Sequence, residues 1–292
     1  MFDENKIKIE NLGDFINEIV RLKINTTEQE YYPWYRGHAD KSWDLIPKVQ
    51  RDFIGMEEEL FRKERFLTNN FQTRASIFIS PKPRLDDFSG WLTLMQHYGL
   101  PTRLLDWSRS PLVALYFAVS NNNEKDACVW ILAPSKLNEV EQLEKPTDID
   151  NETYANTYIY NMSHNTISTM IYTAFKRWKF SSNPDAISKA DKKFNHRFKN
   201  LEGKIAACYP TEADNRVYNQ FSSFTVHNSS KKLIDFCDET MLQRITIPSQ
   251  KKKQLLCELS VCGITQSYIF PDLENLAAEI EAEIEAKIEI KD

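Results

Sequence analysis

Three observations predict an α+β fold, a mixed or antiparallel β core flanked by helices. Apolar residues recur at helical spacing in separate segments, from Leu12 to Leu22, from Leu60 to Phe71 and from Trp91 to Met95. Runs with strand character, ACVWILAP at 127–134 and FSSFTVH at 221–227, follow them in the chain. There are seven glycines and neither a GxGxxG nor a GxxxxGK[ST] pattern, so a doubly wound dinucleotide fold or a P-loop would lack its phosphate-cradling turn.

The chain opens with Ile7 and Ile9 in alternation, which predicts a short strand ahead of an amphipathic helix in NLGDFINEIVRLK. In YYPWYRGHADKSWDLIPKVQR, Pro33 precedes a short aromatic strand ending at Gly37, which sets the YRG triplet Tyr35, Arg36 and Gly37 at a strand end. Acidic residues at its start and Leu60, Phe61, Phe66, Leu67 and Phe71 on one side make 57–73 a helix. DDFSGWLTLMQHYG reads as another, closed by Gly99. A loop from Leu100 to Arg109 then leads to a helix in SPLVALYFAV, capped by Ser110 and entered through Pro111. ACVWILAP is apolar on both faces, as a central strand is, and stops at Pro134.

The stretch from Ser135 to about Pro210 mixes acidic, Asn-rich and Lys-rich pieces and reads as a partly helical insert or lid. Order returns with a strand over Phe221 to His227 and an apolar run through Met241, Ile245 and Ile247. Ser249 caps a helix through KKKQLLCELSVC that Gly263 closes, with Lys251 to Lys253 as its solvated start. A last helix begins at Pro271 or Asp272. Its Ile280, Ile284 and Ile288 form a narrow stripe suited to docking on the body, or on a second copy to give a homo-oligomer. The expectation is one domain over residues 1–292, with its core at about 8–134 and 211–292 and the insert at about 135–210.

Composition narrows the function. A formal net charge of -5 argues against broad binding to a phosphate backbone. Five cysteines at scattered spacings, with no CxxC pair, read as reduced thiols. His38, His97, His164, His196 and His227 are isolated, so no metal site is expected. The charged N-terminus is no signal peptide, and no run is long enough to span a membrane, which makes a cytoplasmic protein the expectation. One basic stretch stands apart, Lys176, Arg177, Lys179, Lys189, Lys192, Lys193, Arg197 and Lys199, interleaved with aromatic residues. It reads as the surface of an amphipathic helix, with an RNA or DNA contact as the alternative.

The densest chemistry lies in QHYGLPTRLLDWSRSPLVALYFAV, from Gln96 to Val119. Gln96, His97, Tyr98, Thr102, Arg103, Asp106 and Trp107 crowd just ahead of a core helix. Arg103 offers a planar fork for phosphate or carboxylate, Asp106 a partner for that fork or for a ribose hydroxyl, and Trp107 or Tyr98 a stacking face. The competing reading is structural, with Arg103 and Asp106 pairing to hold a tight loop. Arg36 beside Gly37 invites the same two readings, the glycine permitting close approach of a ligand.

WYRGHADKSWDLIPKVQR, WLTLMQHYGLPTRLLDWSRSPLVALYFAV, QRITIP and GITQSYIFPDLENLA together resemble the FRG domain family, in order from about Trp34 to Ala277. A family segment of the type RxxxQxGxF falls on Arg216, Gln220, Ser222 and Phe224, with serine where the family usually has glycine. The motif order also resembles that of ADP-ribosyltransferases. There an aromatic-Arg/His-Gly strand holds the NAD ribose, a Ser or Thr motif precedes a YFA-like helix, and a late strand delivers Glu or Gln. Here those places are taken by Tyr35 to Gly37, Asp106 to Ala118 and Gln220. The resemblance implies Arg36, Arg103, Asp106 and Gln220 as catalytic residues. Around them it implies a pocket of Tyr35, Gly37, Gln96, His97, Tyr98, Thr102, Trp107 and Arg216. It further implies a nucleotide-like ligand such as NAD as substrate, a protein or RNA target, and an effector role of bacterial, antiphage type. A ligand-sensing module without catalysis is the competing class.

Overall fold

The computed structural model describes residues 8–25, 32–52, 57–75, 77–80, 83–84, 87–141, 160–161, 203–210, 215–228 and 231–289. Helix α1 (Leu12–Asn25) buries Phe15 and Ile19 in the core. The described residues before it, 8–11, form no strand. Asp14 Oδ2 accepts from Glu10 N (3.1 Å), so a local side chain takes a donor that a ladder would need, and Asn11 Oδ1 accepts from Asp14 N (3.0 Å) at the start of the helix. Ile9 is nevertheless buried, while Ile7 lies outside the described residues.

Strand β1 (Trp34–His38) leads through a 3-10 turn (Lys48–Gln50) to α2 (Glu57–Ala75) and α3 (Phe88–His97). The Asp87 side chain accepts from Gly90 N to cap α3, and Gly99, at φ +75°, closes it. The expected loop from Leu100 to Arg109 contains strand β2 (Leu104–Ser108). Leu105 and Trp107 alternate into the core there, and a distant strand supplies the ladder, which no local pattern announces. Ser110 then caps α4 (Pro111–Val119), and β3 (Ala127–Leu132) follows with all six residues buried.

Pro134 stops β3 by opening α5 (Pro134–Val140). Beyond it come β4 (Tyr160–Asn161) and β5 (Ile205–Tyr209). The stretch read as an irregular insert therefore holds two strands of the sheet, and its basic residues at 176–199 lie outside the described residues. The chain continues through α6 (Asn215–Asn219), β6 (Ser222–His227), α7 (Leu233–Phe236) and β7 (Leu242–Ile247). It ends in α8 (Lys252–Val261), α9 (Gln266–Ile269) and α10 (Leu273–Glu289).

The seven strands form one sheet in the order β4-β5-β6-β2-β1-β3-β7, antiparallel except for the parallel β4–β5 pair. Helices on both faces give the α+β architecture. On one face α1, α4, α8 and α9 bury Phe15, Tyr35, Leu115, Ile245, Leu255 and Ile269. On the other, Trp34, Trp107, Trp130, Leu137 and Leu233 pack together.

Three further expectations change. Lys252 is not part of a solvated helix start. It is fully buried, and its Nζ donates to Ala39 O (2.7 Å), Asn121 O (2.9 Å) and Asn122 O (2.7 Å). Three carbonyls match the three donors of an ammonium, so the buried cation is saturated. Ser249 gives no side-chain cap, its N–H donating instead to Asp126 Oδ1 (3.0 Å). Of the α10 stripe, Ile280 and Ile284 do not dock on the body, since they remain 49% and 53% exposed, and the side chain of Ile288 lies outside the described residues.

Candidate functional site

Strand β1 pairs with β3 along its whole length, from Trp34 opposite Leu132 to His38 opposite Cys128. With β2 it pairs only at Tyr35 opposite Ser108. Strand β2 meanwhile keeps a five-residue register with β6 and stays with that neighbour. The sheet consequently splits between β1 and β2, and a cavity of about 470 Å³ opens there. That volume falls in the range of small-molecule sites.

Arg36 bridges the split. Its Nη1 donates to Asp106 O (2.6 Å) and lies 3.8 Å from Asp106 Oδ2, while its Nε donates to His38 Nε2 (3.1 Å). The Asp106 side chain is half exposed and receives Gln96 Nε2 on both oxygens, at 2.8 and 2.7 Å. Gln96 is itself fixed by Thr102, whose hydroxyl donates to its Oε1. Thr102 is buried, so it sets the carboxylate's orientation from behind the wall.

Charge in the lining is lopsided. Arg36, Lys48, Arg51 and Arg216 face a single carboxylate, Asp106. Lys48 and Arg51 are three residues apart across a 3-10 turn, where side chains at i and i+3 eclipse, and both therefore reach the same cavity. Lys48 Nζ donates to Gly99 O (3.0 Å) and Arg51 Nε to Ile46 O (3.4 Å), which anchors the two stems. Arg216 donates to His97 O (2.8 Å) and lies over the Phe270 ring at 4.9 Å. Burial lowers the Arg36 pKa and the Asp106 carboxylate opposes it, yet a guanidinium keeps its charge at any physiological pH. Such a lining favours a ligand carrying more than one negative charge.

Of the residues expected in the site, Tyr35, Arg36, Gly37, Gln96, Asp106, Trp107, Arg216 and Gln220 line this cavity. His97 lines a smaller recess beside it, which Gln96, Asp106, Arg216 and Gln220 share. Tyr98 is exposed, its ring edge-on to His97. Arg103 is the clear exception. It is buried away from the cavity, donating through Nε to Glu64 Oε1 (2.9 Å) and through Nη2 to Glu64 Oε2, with Asn228 Oδ1 on Nη1 (3.0 Å). Its partner is thus Glu64 of α2 and not Asp106.

Gly37 lines the cavity but also serves packing, because α4 lies against it so closely that no side chain fits. Gln220 donates through Nε2 to Ile269 O (3.1 Å), and its carbonyl accepts from Ser108 Oγ (2.7 Å). The left-handed position next to it is Phe221, at φ 49°, while Ser222 sits in β6. Serine in place of glycine at 222 therefore meets no left-handed backbone. Trp43, Lys48, Arg51 and Phe117 also line the cavity and were missed as individual site residues. The signal for the two cations was their spacing just after Pro47.

Two buried histidines make the site's surroundings sensitive to acid. Burial first, then the nearby arginines, push both His38 and His227 down to about 3 from 6.5. His38 accepts from Arg36, and His227 Nε2 pairs with the Thr225 hydroxyl at 2.9 Å, so both rings serve as neutral partners. Below pH 6.5 the unfolded chain binds protons that the folded chain does not. Stability is therefore full above about pH 6.5 and falls as pH drops towards 3, by about 1.4 kcal/mol per pH unit per histidine. Urea unfolding at about pH 7 and pH 5 should show this slope, and His227→Gln should flatten it by one histidine's share.

Among the described residues no group of three or more His, Cys, Asp and Glu side chains could hold a metal, and no helix is long and apolar enough to cross a membrane. Residues 32–127 match the FRG domain family model, a span that holds β1, β2 and α4 but excludes Arg216, Gln220 and the C-terminal segments. No curated protein and no solved structure matches the chain.

Proposed function

We propose that this chain, whose residues 32–127 are an FRG domain, binds a dinucleotide of the NAD type in the β1–β2 split and cleaves its nicotinamide–ribose bond. The observation that carries the reading is the lining itself, four cationic side chains and one carboxylate around a cavity of about 470 Å³. Arg36, Lys48 and Arg51 suit a pyrophosphate, and the half-exposed Trp43 offers an aromatic face for a base.

Asp106 would accept from ribose hydroxyls and face the positive charge that grows on the ribose carbon as the bond to nitrogen breaks. The bonding pair leaves with nicotinamide, which departs neutral. Water, or the hydroxyl or amine of an acceptor, then adds to that carbon and gives up a proton. Gln96 and Thr102 are positioning residues, since Gln96 holds the Asp106 carboxylate and the buried Thr102 holds Gln96. Gln220 would add a carbonyl dipole, weaker than a carboxylate for a cation.

Calorimetry with NAD and chromatography of released nicotinamide test this reading. Wild type should bind and release nicotinamide. Arg36→Ala should weaken binding by about tenfold to a hundredfold, the worth of one charge-assisted contact. Asp106→Asn should keep binding and lose release. In bacteria the effector role predicts that expression depletes NAD and slows growth, and that Asp106→Asn abolishes both.

A second reading, a sensing module without catalysis, draws on the neutral Gln220 and its tie to the segment before α10. Binding with no nicotinamide release supports it. Absence of both binding and release sinks the dinucleotide reading altogether.

A further inference from the structure

The contacts that hold α10 fall in its first two turns, among the described residues. Asp272 Oδ1 accepts from Asn275 N (2.8 Å), Gln266 Nε2 donates to Asn275 Oδ1 (2.7 Å), and Ser267 N donates to Glu279 Oε2 (2.7 Å). Beyond Glu279 the helix runs on with residues 280–282 and Ile284 exposed. At about 100° per residue, Leu273, Leu276, Ile280 and Ile284 fall within an arc of about 80°. All four are exposed, Leu273 to 84%. Four large aliphatic side chains along one face of an exposed helix are an unsatisfied surface.

Charge selects the occupant. The α10 sequence carries six glutamates and one lysine, and by helical spacing Glu274 and Glu281 border the stripe. A second copy would set glutamate against glutamate along the seam, and the chain as a whole is already at -5. A polyanion is repelled for the same reason. We infer that this face docks a basic amphipathic helix of a partner protein, its aliphatic residues meeting the stripe and its Lys or Arg flanks meeting the glutamates.

The surface is also wired to the cavity. Glu279 holds the N-terminus of α9, Tyr268 O and Ile269 O of α9 hold Asn219 (2.8 Å) and Gln220 (3.1 Å), and Phe270 underlies Arg216. The docking proposal does not rest on the cavity's ligand, so each can fail without the other.

The test uses the full chain and a fluorescent helical peptide of about 20 residues with a leucine stripe flanked by lysines. Its control is a peptide of identical composition whose leucines are spread around the helix. Saturable binding of the striped peptide is expected, with the control weaker by about tenfold or more. Raising salt from about 50 to about 500 mM should weaken binding further. The variant pair Ile280→Gln and Ile284→Gln should lose binding while keeping the thermal unfolding of wild type. Glutamine preserves helix propensity and adds no charge that would itself attract the peptide. Equal binding of both peptides, no binding of either, or a concentration-dependent dimer abolished by the same variants would each overturn the proposal.

Discussion

Gly37→Ala is expected to lower the stability of the chain by about 3 kcal/mol or more, the upper end of what overpacking a core costs. A Cβ at this position would lie 1.9 Å from Ala114 O and 2.6 Å from Ala118 N. Both are backbone atoms of α4, so no rotamer change relieves the clash. Nor can α4 withdraw, because Val113, Ala114, Leu115, Ala118 and Val119 are all buried. The glycine therefore lets the helix lie directly on β1, and this fixes the strand that carries Arg36. Thermal unfolding followed by circular dichroism should show a fall of about 6 °C or more, or a chain recovered only as aggregate. A variant that unfolds like wild type but has lost its ligand would instead assign Gly37 to ligand contact.

The helices α1, α2, α3, α4, α8 and α10 were legible because each carries its own signal. The Ser110 and Asp272 caps, the Gly99 and Gly263 stops and the apolar spacing of α1 and α2 are all local. Strands β2 and β5 were hidden for the opposite reason. LLDWS sits between two helices and IAACY behind a polar stretch, and each becomes a strand by pairing with β6, which follows both in the chain. The burial of Lys252 was equally invisible, since its three carbonyl partners come from loops 130 or more residues away.

At the site, residue type and motif order pointed to Arg36, Gln96, Asp106, Arg216 and Gln220, and one cavity gathers them. The split that makes the cavity depends on how β1 and β2 choose their neighbours, which spacing along one chain does not record. Arg103 shows the limit most clearly. A planar cation in a polar segment reads alike whether it meets a ligand or a carboxylate, and the carboxylate that claims it lies 39 residues earlier in α2.

Removing that carboxylate should be the second large effect. Arg103 and Glu64 are both buried, joined through two parallel hydrogen bonds, and Arg103 also donates to Asn228 Oδ1 (3.0 Å) and His227 O (3.5 Å). Glu64→Ala would strand a guanidinium in the interior, and breaking such a pair from one side costs about 3–5 kcal/mol. Urea unfolding should register a loss of that size, and Arg103→Ala a comparable one, since either leaves a buried charge alone. The double variant Glu64→Leu with Arg103→Met removes both charges and keeps similar volume, so it should recover most of the loss. Arg103 lies outside the cavity, so the double variant should bind ligand like wild type, whereas Arg36→Ala should not. Loss of ligand binding in a stable double variant would return Arg103 to the site.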